Sequence, residues 1–253
     1  MPVDEANLLS LEPGQVDIWL TRLTGIGDHL LRRYEELMSE DEHARWRRFL
    51  VAHAQLQHLV ARALVRTTLS RYFDVPPQVW QFATNRYGRP HITAPRQFRP
   101  VRFNLSHTSG MVVCAVAKAR AIGIDVENVT RESSLADLAP RVFSPVELAT
   151  FWETAPEMQR EIFFSFWTLK EAYIKARGMG LSLPLDGFSF DLAGSSPRVH
   201  FSERCPDESD RWQFRRFAPT TDHRMAIAVA GVKEPDVRQR WVVPLDVEEK
   251  SRS

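Results

Sequence analysis

The run Ile122-Gly123-Ile124-Asp125-Val126-Glu127 sets two carboxylates two residues apart. Side chains alternate faces along a strand, so Asp125 and Glu127 share one side and Ile124 and Val126 the other. Two carboxylates on one face repel unless solvent or a cation lies between them. Oxygen ligands of this kind suit Mg2+, which takes one or two carboxylates together with phosphate oxygens and water. An amphipathic strand with its polar face in water accounts for the same spacing. The stretch Phe163-Phe164-Ser165-Phe166-Trp167-Thr168-Leu169-Lys170-Glu171-Ala172-Tyr173-Ile174-Lys175 shifts the balance. At helical spacing Ile162, Phe166, Leu169, Tyr173 and Ala176 share a face, which Phe163, Trp167 and Ile174 widen. Thr168, Glu171 and Lys175 are left on a narrow polar arc. A mostly buried helix keeps charges where they meet a partner, an ion or a cleft. A Glu171–Lys175 i, i+4 salt bridge, worth about 0.2–0.5 kcal/mol when exposed, explains the spacing but not the apolar surroundings.

Other residues could meet phosphate. Phe103-Asn104-Leu105-Ser106-His107 puts a hydroxyl and an imidazole where a strand runs into a turn, and both can donate to phosphate oxygens. A turn-capping histidine is the competing reading. A Ser-His hydrolase is excluded, because adjacent strand residues face opposite ways and no Gly-x-Ser-x-Gly elbow exists. Arg89 in Gly88-Arg89-Pro90, and Arg45, Arg47 and Arg48, are bidentate phosphate donors. No Walker loop, dinucleotide glycine fingerprint or His/Cys zinc spacing is present.

The net charge of +1 is unevenly spread. Residues 1–42 carry ten acids and three bases (−7), residues 43–102 eleven arginines and one acid, Asp74 (+10), and the remainder −2. Such a basic block suits an anionic partner, or else snorkelling arginines covered by the acidic segment before them. With 15 Phe and 7 Trp the chain is too apolar for disorder, and its longest apolar run, Met111 to Ala117, is too short to span a bilayer. Cys114 and Cys205 support neither a disulfide framework nor a thiolate metal site. The acidic start Met1-Pro2-Val3-Asp4-Glu5 is unlike a secretion signal, so a soluble cytoplasmic protein is expected.

Positioning these residues requires the following elements. Val16–Leu20 reads as a strand. Helical periodicity then runs through Leu30, Tyr34 and Leu37. Ser39 and Glu42 form a capping box for a second helix through Phe49, and a long helical stretch through Leu69 stops at Pro76-Pro77. After a strand near 79–84 come β runs at 101–106, 111–117 and 122–127, which read as a meander. Ser144-Pro145-Val146-Glu147 opens another helix, and one from about Glu157 to Arg177 stops at Gly178. Strands follow near 187–192, 197–201, 211–217 and 224–230. Met225 to Ala230 echoes Met111 to Ala117, which suggests a duplicated α+β unit with a ligand favoured at the seam. The subdomains are expected at 1–119 and 120–253.

Taken together, three motifs resemble the Sfp-type phosphopantetheinyl transferases. They are Asn104-Leu105-Ser106-His107 followed by Gly110, then Gly123-Ile124-Asp125-Val126-Glu127, then Phe163-x-x-x-Trp167-x-x-Lys170-Glu171-Ala172-x-x-Lys175 leading to Gly178-x-Gly180-Leu181. The likeness covers roughly residues 39–190. It implies a pseudo-twofold, two-lobed α+β fold and transfer of phosphopantetheine from coenzyme A to a carrier-protein serine, releasing adenosine 3′,5′-bisphosphate. It implies Mg2+, with Mn2+ as a substitute, on Asp125, Glu127 and Glu171, and Glu171, Lys175 and Asp125 as the catalytic set. Coenzyme A would meet Arg45, Arg47, Arg48, Arg86, Arg89, Ser106, His107 and Lys175. Arg89 stands where the family often has Lys in a Gly-Lys-Pro turn, and Gln57 and His58 where some members have Arg and Thr near the nucleotide. The expected partner is an acidic acyl or peptidyl carrier domain, with no nucleic acid or membrane, and the expected state is a monomer. The competing functions are a Mg2+-dependent phosphohydrolase, a nucleic-acid-binding module, and a degenerate transferase that binds a carrier without turnover.

Overall fold

A computed structural model describes residues 8–194 and 196–246, the side chain of Leu181 excepted. The acidic start at Met1–Glu5 lies outside the described residues. The chain is α+β and divides into two compact units. Within the described residues, the first comprises 8–83, 90–119 and 236–246, and the second Thr84–Arg89 and Arg120–Pro235.

In the first unit, strand β1 (Gln15–Arg22) is followed by helices α1 (Asp28–Glu35), α2 (Glu40–Trp46) and α3 (Ala52–Ser70). The expected capping box opens α2: Ser39 Oγ accepts from the Glu42 N–H at 3.3 Å, and Glu42 Oε2 accepts from the Ser39 N–H at 3.0 Å. The apolar length of α3 is buried against the sheet. Strands β2 (Gln81–Thr84) and β3 (Pro90–Ala94) form a two-stranded ribbon, and β4 (Val101–Thr108) and β5 (Met111–Lys118) an antiparallel hairpin.

The third strand of the expected meander, β6 (Ile122–Asn128), does not join them. Both edges of β5 are taken, by β1 and β4, so β6 has no edge there and opens the second unit's sheet instead. A strand absent from the sequence reading, β11 (Asp236–Trp241), pairs in parallel with β1 and gives the order β11-β1-β5-β4. The expected division gave this segment to the second half. Its charged Asp236, Arg238 and Arg240 give no strongly buried face to mark a strand, yet an edge strand carries such residues readily.

The second unit continues with α4 (Leu135–Val142), α5 (Pro145–Glu153), α6 (Pro156–Arg177), β7 (Phe188–Asp191), β8 (Arg198–Phe201), β9 (Trp212–Thr220) and β10 (His223–Ala230). Helix α4 escaped the sequence reading because Pro140, inside it, reads as a breaker. The sheet order is β6-β10-β9, with β7 and β8 as a ribbon. Each unit therefore runs strand, three helices, ribbon, two antiparallel strands, and the last of these is central, β5 in one and β10 in the other. These are the two Met-to-Ala runs whose compositions matched.

Helix α6 lies directly on β6 and β10. A β-carbon at Gly123 would fall 2.0 Å from the Ala172 carbonyl oxygen and 2.4 Å from the Ala176 nitrogen, so only glycine admits the helix at this distance. An aromatic core of Phe143, Phe151, Phe163 and Phe166 at one end, and Tyr173, Trp212 and Phe214 at the other, fixes α6 in place.

Candidate active site

Strand β6 and helix α6 bring the three carboxylates into one electrostatic group. Asp125 is buried at 4 % exposure, which excludes a strand face turned to water. Its Oδ1 accepts from Lys175 Nζ at 2.6 Å. Glu127 Oε1 accepts from the Trp167 indole N–H at 2.7 Å, and its Oε2 pairs with Arg131 at 3.2 Å. Lys175 thus reaches across to β6, and its charge also acts on Glu171 one turn back on α6.

Burial, and then the neighbouring Asp125, push the Glu171 carboxyl up to about 6, with Glu127 adding to the rise and Lys175 opposing it. Burial and Asp125 raise Glu127 as well, against Trp167, Arg131 and Lys175. Among the described residues, no group of three or more His, Cys, Asp or Glu side chains stands ready to hold a metal ion. The donor set nevertheless has the chemistry of a hard divalent cation's ligands: Glu127 and Glu171, harder to ionise through burial and the charge of Asp125, would gain from a positive charge beside them.

Two arrangements frame this group. Lys170, next to Glu171, is fully buried with Glu147, at 2.7 Å. Its ammonium also donates to the Leu185 and Phe188 carbonyls, both at 2.7 Å, while Glu147 accepts the Ser144 N–H at 2.9 Å and the Phe190 N–H at 3.0 Å. Burial pushes Glu147 up and Lys170 down. Glu147 was legible only as a capping-box residue, and its partner across the core was not. At the end of α6, Gly178 adopts φ 64°, the left-handed stop expected of it. Its carbonyl accepts from Asn85 Nδ2 at 2.8 Å. The guanidinium of Arg89 donates to the carbonyls of Ala176, at 2.6 Å, and Ile122, at 3.1 Å. Arg86 is exposed, with its guanidinium over the Tyr87 ring.

The other expected residues belong to the first unit. Arg45, Arg47 and Arg48 are exposed on α2 and just beyond it. On β4, Ser106 is buried and His107 exposed, the alternation a strand imposes. Near Arg45 lies a basic group that the sequence reading did not assemble. His43 Nδ1, His58 Nε2 and Arg62 Nε are buried without a hydrogen-bond partner. Burial, then the charges of Arg62 and Arg45, hold the His58 imidazole down at about 4. The signal available was the helical spacing of His58 and Arg62, and nothing in it tied either to α2.

Two family models match the chain in tandem: "4′-phosphopantetheinyl transferase, N-terminal" over residues 28–119, and "4′-phosphopantetheinyl transferase superfamily" over 121–228. A 4′-phosphopantetheinyl transferase of Bacillus subtilis is 32% identical over 193 residues, 76% of this chain and 82% of its own. HetI of a Nostoc species, also a 4′-phosphopantetheinyl transferase, is 31% identical over 223 residues, 88% and 91% of the two chains. Sfp of Bacillus subtilis strain 168 is 30% identical over 204 residues, 81% and 87%. The chain belongs to the 4′-phosphopantetheinyl transferase family. It is a transferase that moves phosphopantetheine from coenzyme A to a carrier protein. The phosphohydrolase and nucleic-acid readings find no support here.

Proposed function

We propose that the reaction centre is the group formed by Asp125, Glu127, Glu171 and Lys175, with Glu171 as the base. The observation that carries this is the Glu171 carboxyl, lifted to about 6 by burial and by Asp125. A base poised there is ionised at neutral pH yet holds a proton far better than an ordinary carboxylate. Glu171 takes the proton of the acceptor serine, whose oxygen forms the new bond to phosphorus. The phosphorus–oxygen bond of the pyrophosphate breaks, and adenosine 3′,5′-bisphosphate leaves. Lys175, held by Asp125, donates to the leaving oxygen. Asp125, Glu127 and Glu171 are the side chains that would hold Mg2+ or Mn2+. When bound, the ion would offset the negative charge of the pyrophosphate and the leaving group.

On the first unit, Arg45, Arg47, Arg48, Ser106 and His107 are assigned to phosphates of coenzyme A. The electropositive surroundings of His58, with Arg62 and Arg45, support that assignment. Coenzyme A affinity is then expected to fall as salt rises. Two units within one chain support a monomer. Among the described residues no helix is long and apolar enough to cross a membrane.

The test is Glu171→Gln, which keeps shape and loses the base. With apo carrier protein, coenzyme A and saturating Mg2+, kcat read by mass spectrometry of the carrier is expected to fall by roughly 10²–10⁴-fold. Near-normal turnover defeats the assignment.

A further inference from the structure

The resemblance gives Arg89 to coenzyme A, but its geometry gives the side chain another task. The turn that carries it is built by Asn85, whose Oδ1 accepts from the backbone N–H groups of Tyr87 and Arg89, both at 2.9 Å. From that turn, three donors reach backbone carbonyls. Asn85 Nδ2 takes Gly178, Arg89 Nη1 takes Ala176 and Arg89 Nη2 takes Ile122. Two of these are at the end of α6, where the last carbonyls lack intrahelical partners and a cation is favoured. The third is the first residue of β6. The stem of Arg89 lies across the helix end so closely that a β-carbon at Gly178 would fall 2.6 Å from Arg89 Cδ.

The two elements bridged by this guanidinium carry the site's charge pair. Ala176 follows Lys175, and Ile122 is three residues before Asp125. We propose that Arg89 is a positioning residue: its planar fork ties the end of α6 to the start of β6 and thereby holds Lys175 on Asp125. It acts through Lys175 and not by meeting a phosphate of coenzyme A. A guanidinium spans two carbonyls of fixed separation, whereas an ammonium is a compact point charge. Arginine is therefore required for the full effect. This rests on the reading of Lys175 as the donor to the leaving oxygen.

The experiment is steady-state kinetics on Arg89→Met, Arg89→Lys, Lys175→Met and the Arg89→Met/Lys175→Met double variant, with coenzyme A varied at several salt concentrations. Arg89→Met is expected to lower kcat by about 30–100-fold, the cost of a displacement near 1 Å. Its KM for coenzyme A should stay within about twofold of the parent, with an unchanged salt dependence. Arg89→Lys should recover part of kcat, which also guards against a variant that merely misfolds. The double variant should be no slower than Lys175→Met. A KM raised about tenfold or more, with a shallower salt dependence and kcat preserved, overturns the proposal in favour of a phosphate contact. A double variant whose losses multiply overturns it too, because Arg89 would then act independently of Lys175. Wild-type kcat in Lys175→Met would instead sink the underlying reading of Lys175.

Discussion

The opening strands of the two units occupy the same place in the same order of elements, and they could hardly be used more differently. Cys114 lies three residues after Met111 in β5, and Ala228 three after Met225 in β10. Their partners across the sheet are Trp19 in β1 and Gly123 in β6. Two residues on, Thr21 stands where β6 has Asp125. In β1 the buried polar side chains have their partners within the unit. Asp17, fully buried, accepts from Gln15 Nε2 at 2.7 Å and from the Tyr72 hydroxyl, and Thr21 donates to the Val242 carbonyl at 2.9 Å. The outer edge of β1 is paired with β11. In β6 the indole is replaced by a bare backbone, the helix drops onto it, and burial together with the β6 carboxylates raises the pKa of Glu171 on α6. The same scaffold position thus carries two different polar arrangements, Asp17 with Tyr72 and Gln15 in one unit and Asp125 with Lys175 in the other.

The heaviest blow to this contrast should come from Lys170→Ala, which strands the Glu147 charge inside the second unit. Breaking such a pair costs about 3–5 kcal/mol, read as a lower urea midpoint, and Lys170→Met with Glu147→Leu should recover most of it. A loss below about 1 kcal/mol would show that the pair is not a structural requirement. Gly123→Ala comes next: the forced retreat of α6 should cut kcat by about 100-fold with a smaller effect on stability. Retained activity would mean that close helix approach is not what separates β6 from β1.

A pH series then sharpens the electrostatic half of the comparison. Glu171 has a folded pKa of about 6 against an ordinary 4.5, so the folded protein holds more protons between those values and the group's contribution to stability falls as pH rises through that window. A divalent cation bound there would replace that proton. The rise in Tm on adding Mg2+ should therefore grow from pH 4.5 to about 6 and level off above, and a flat or inverted response would contradict a cation among these carboxylates. The smallest effect is expected from Thr21→Val, which should cost about 1 kcal/mol by urea denaturation and leave kcat unchanged. A loss of turnover there would give β1 a part in the reaction.

Local chemistry was the most legible part of this chain. The capping boxes at Ser39 and Ser144, the stop at Gly178 and the shared face of Asp125 and Glu127 each follow from rules acting over a few residues. What escaped required distance in sequence. Glu147 looked complete as a cap because its second partner, Lys170, is 23 positions on and in another helix. Arg89 was legible only as a cation in a turn, because its carbonyl partners, Ala176 and Ile122, are invisible to any motif. Strand β11 escaped because pairing, not its own alternation, makes it a strand, and the meander failed because pattern alone cannot show which edges of β5 are already filled.

The parallel pairing of β1 with β11 also bears on how the molecule is made. Among the described residues the first strand is completed by the last, so the open edge of β1 waits through more than 200 residues of synthesis. Nascent chains arrested before Asp236 are expected to crosslink to chaperones through β1 and to aggregate on release, while the second unit, whose strands all lie within 122–230, can close beforehand. The half that carries Asp125, Glu127 and Glu171 would then be born finished, and the half closed by β11 would be the last to set.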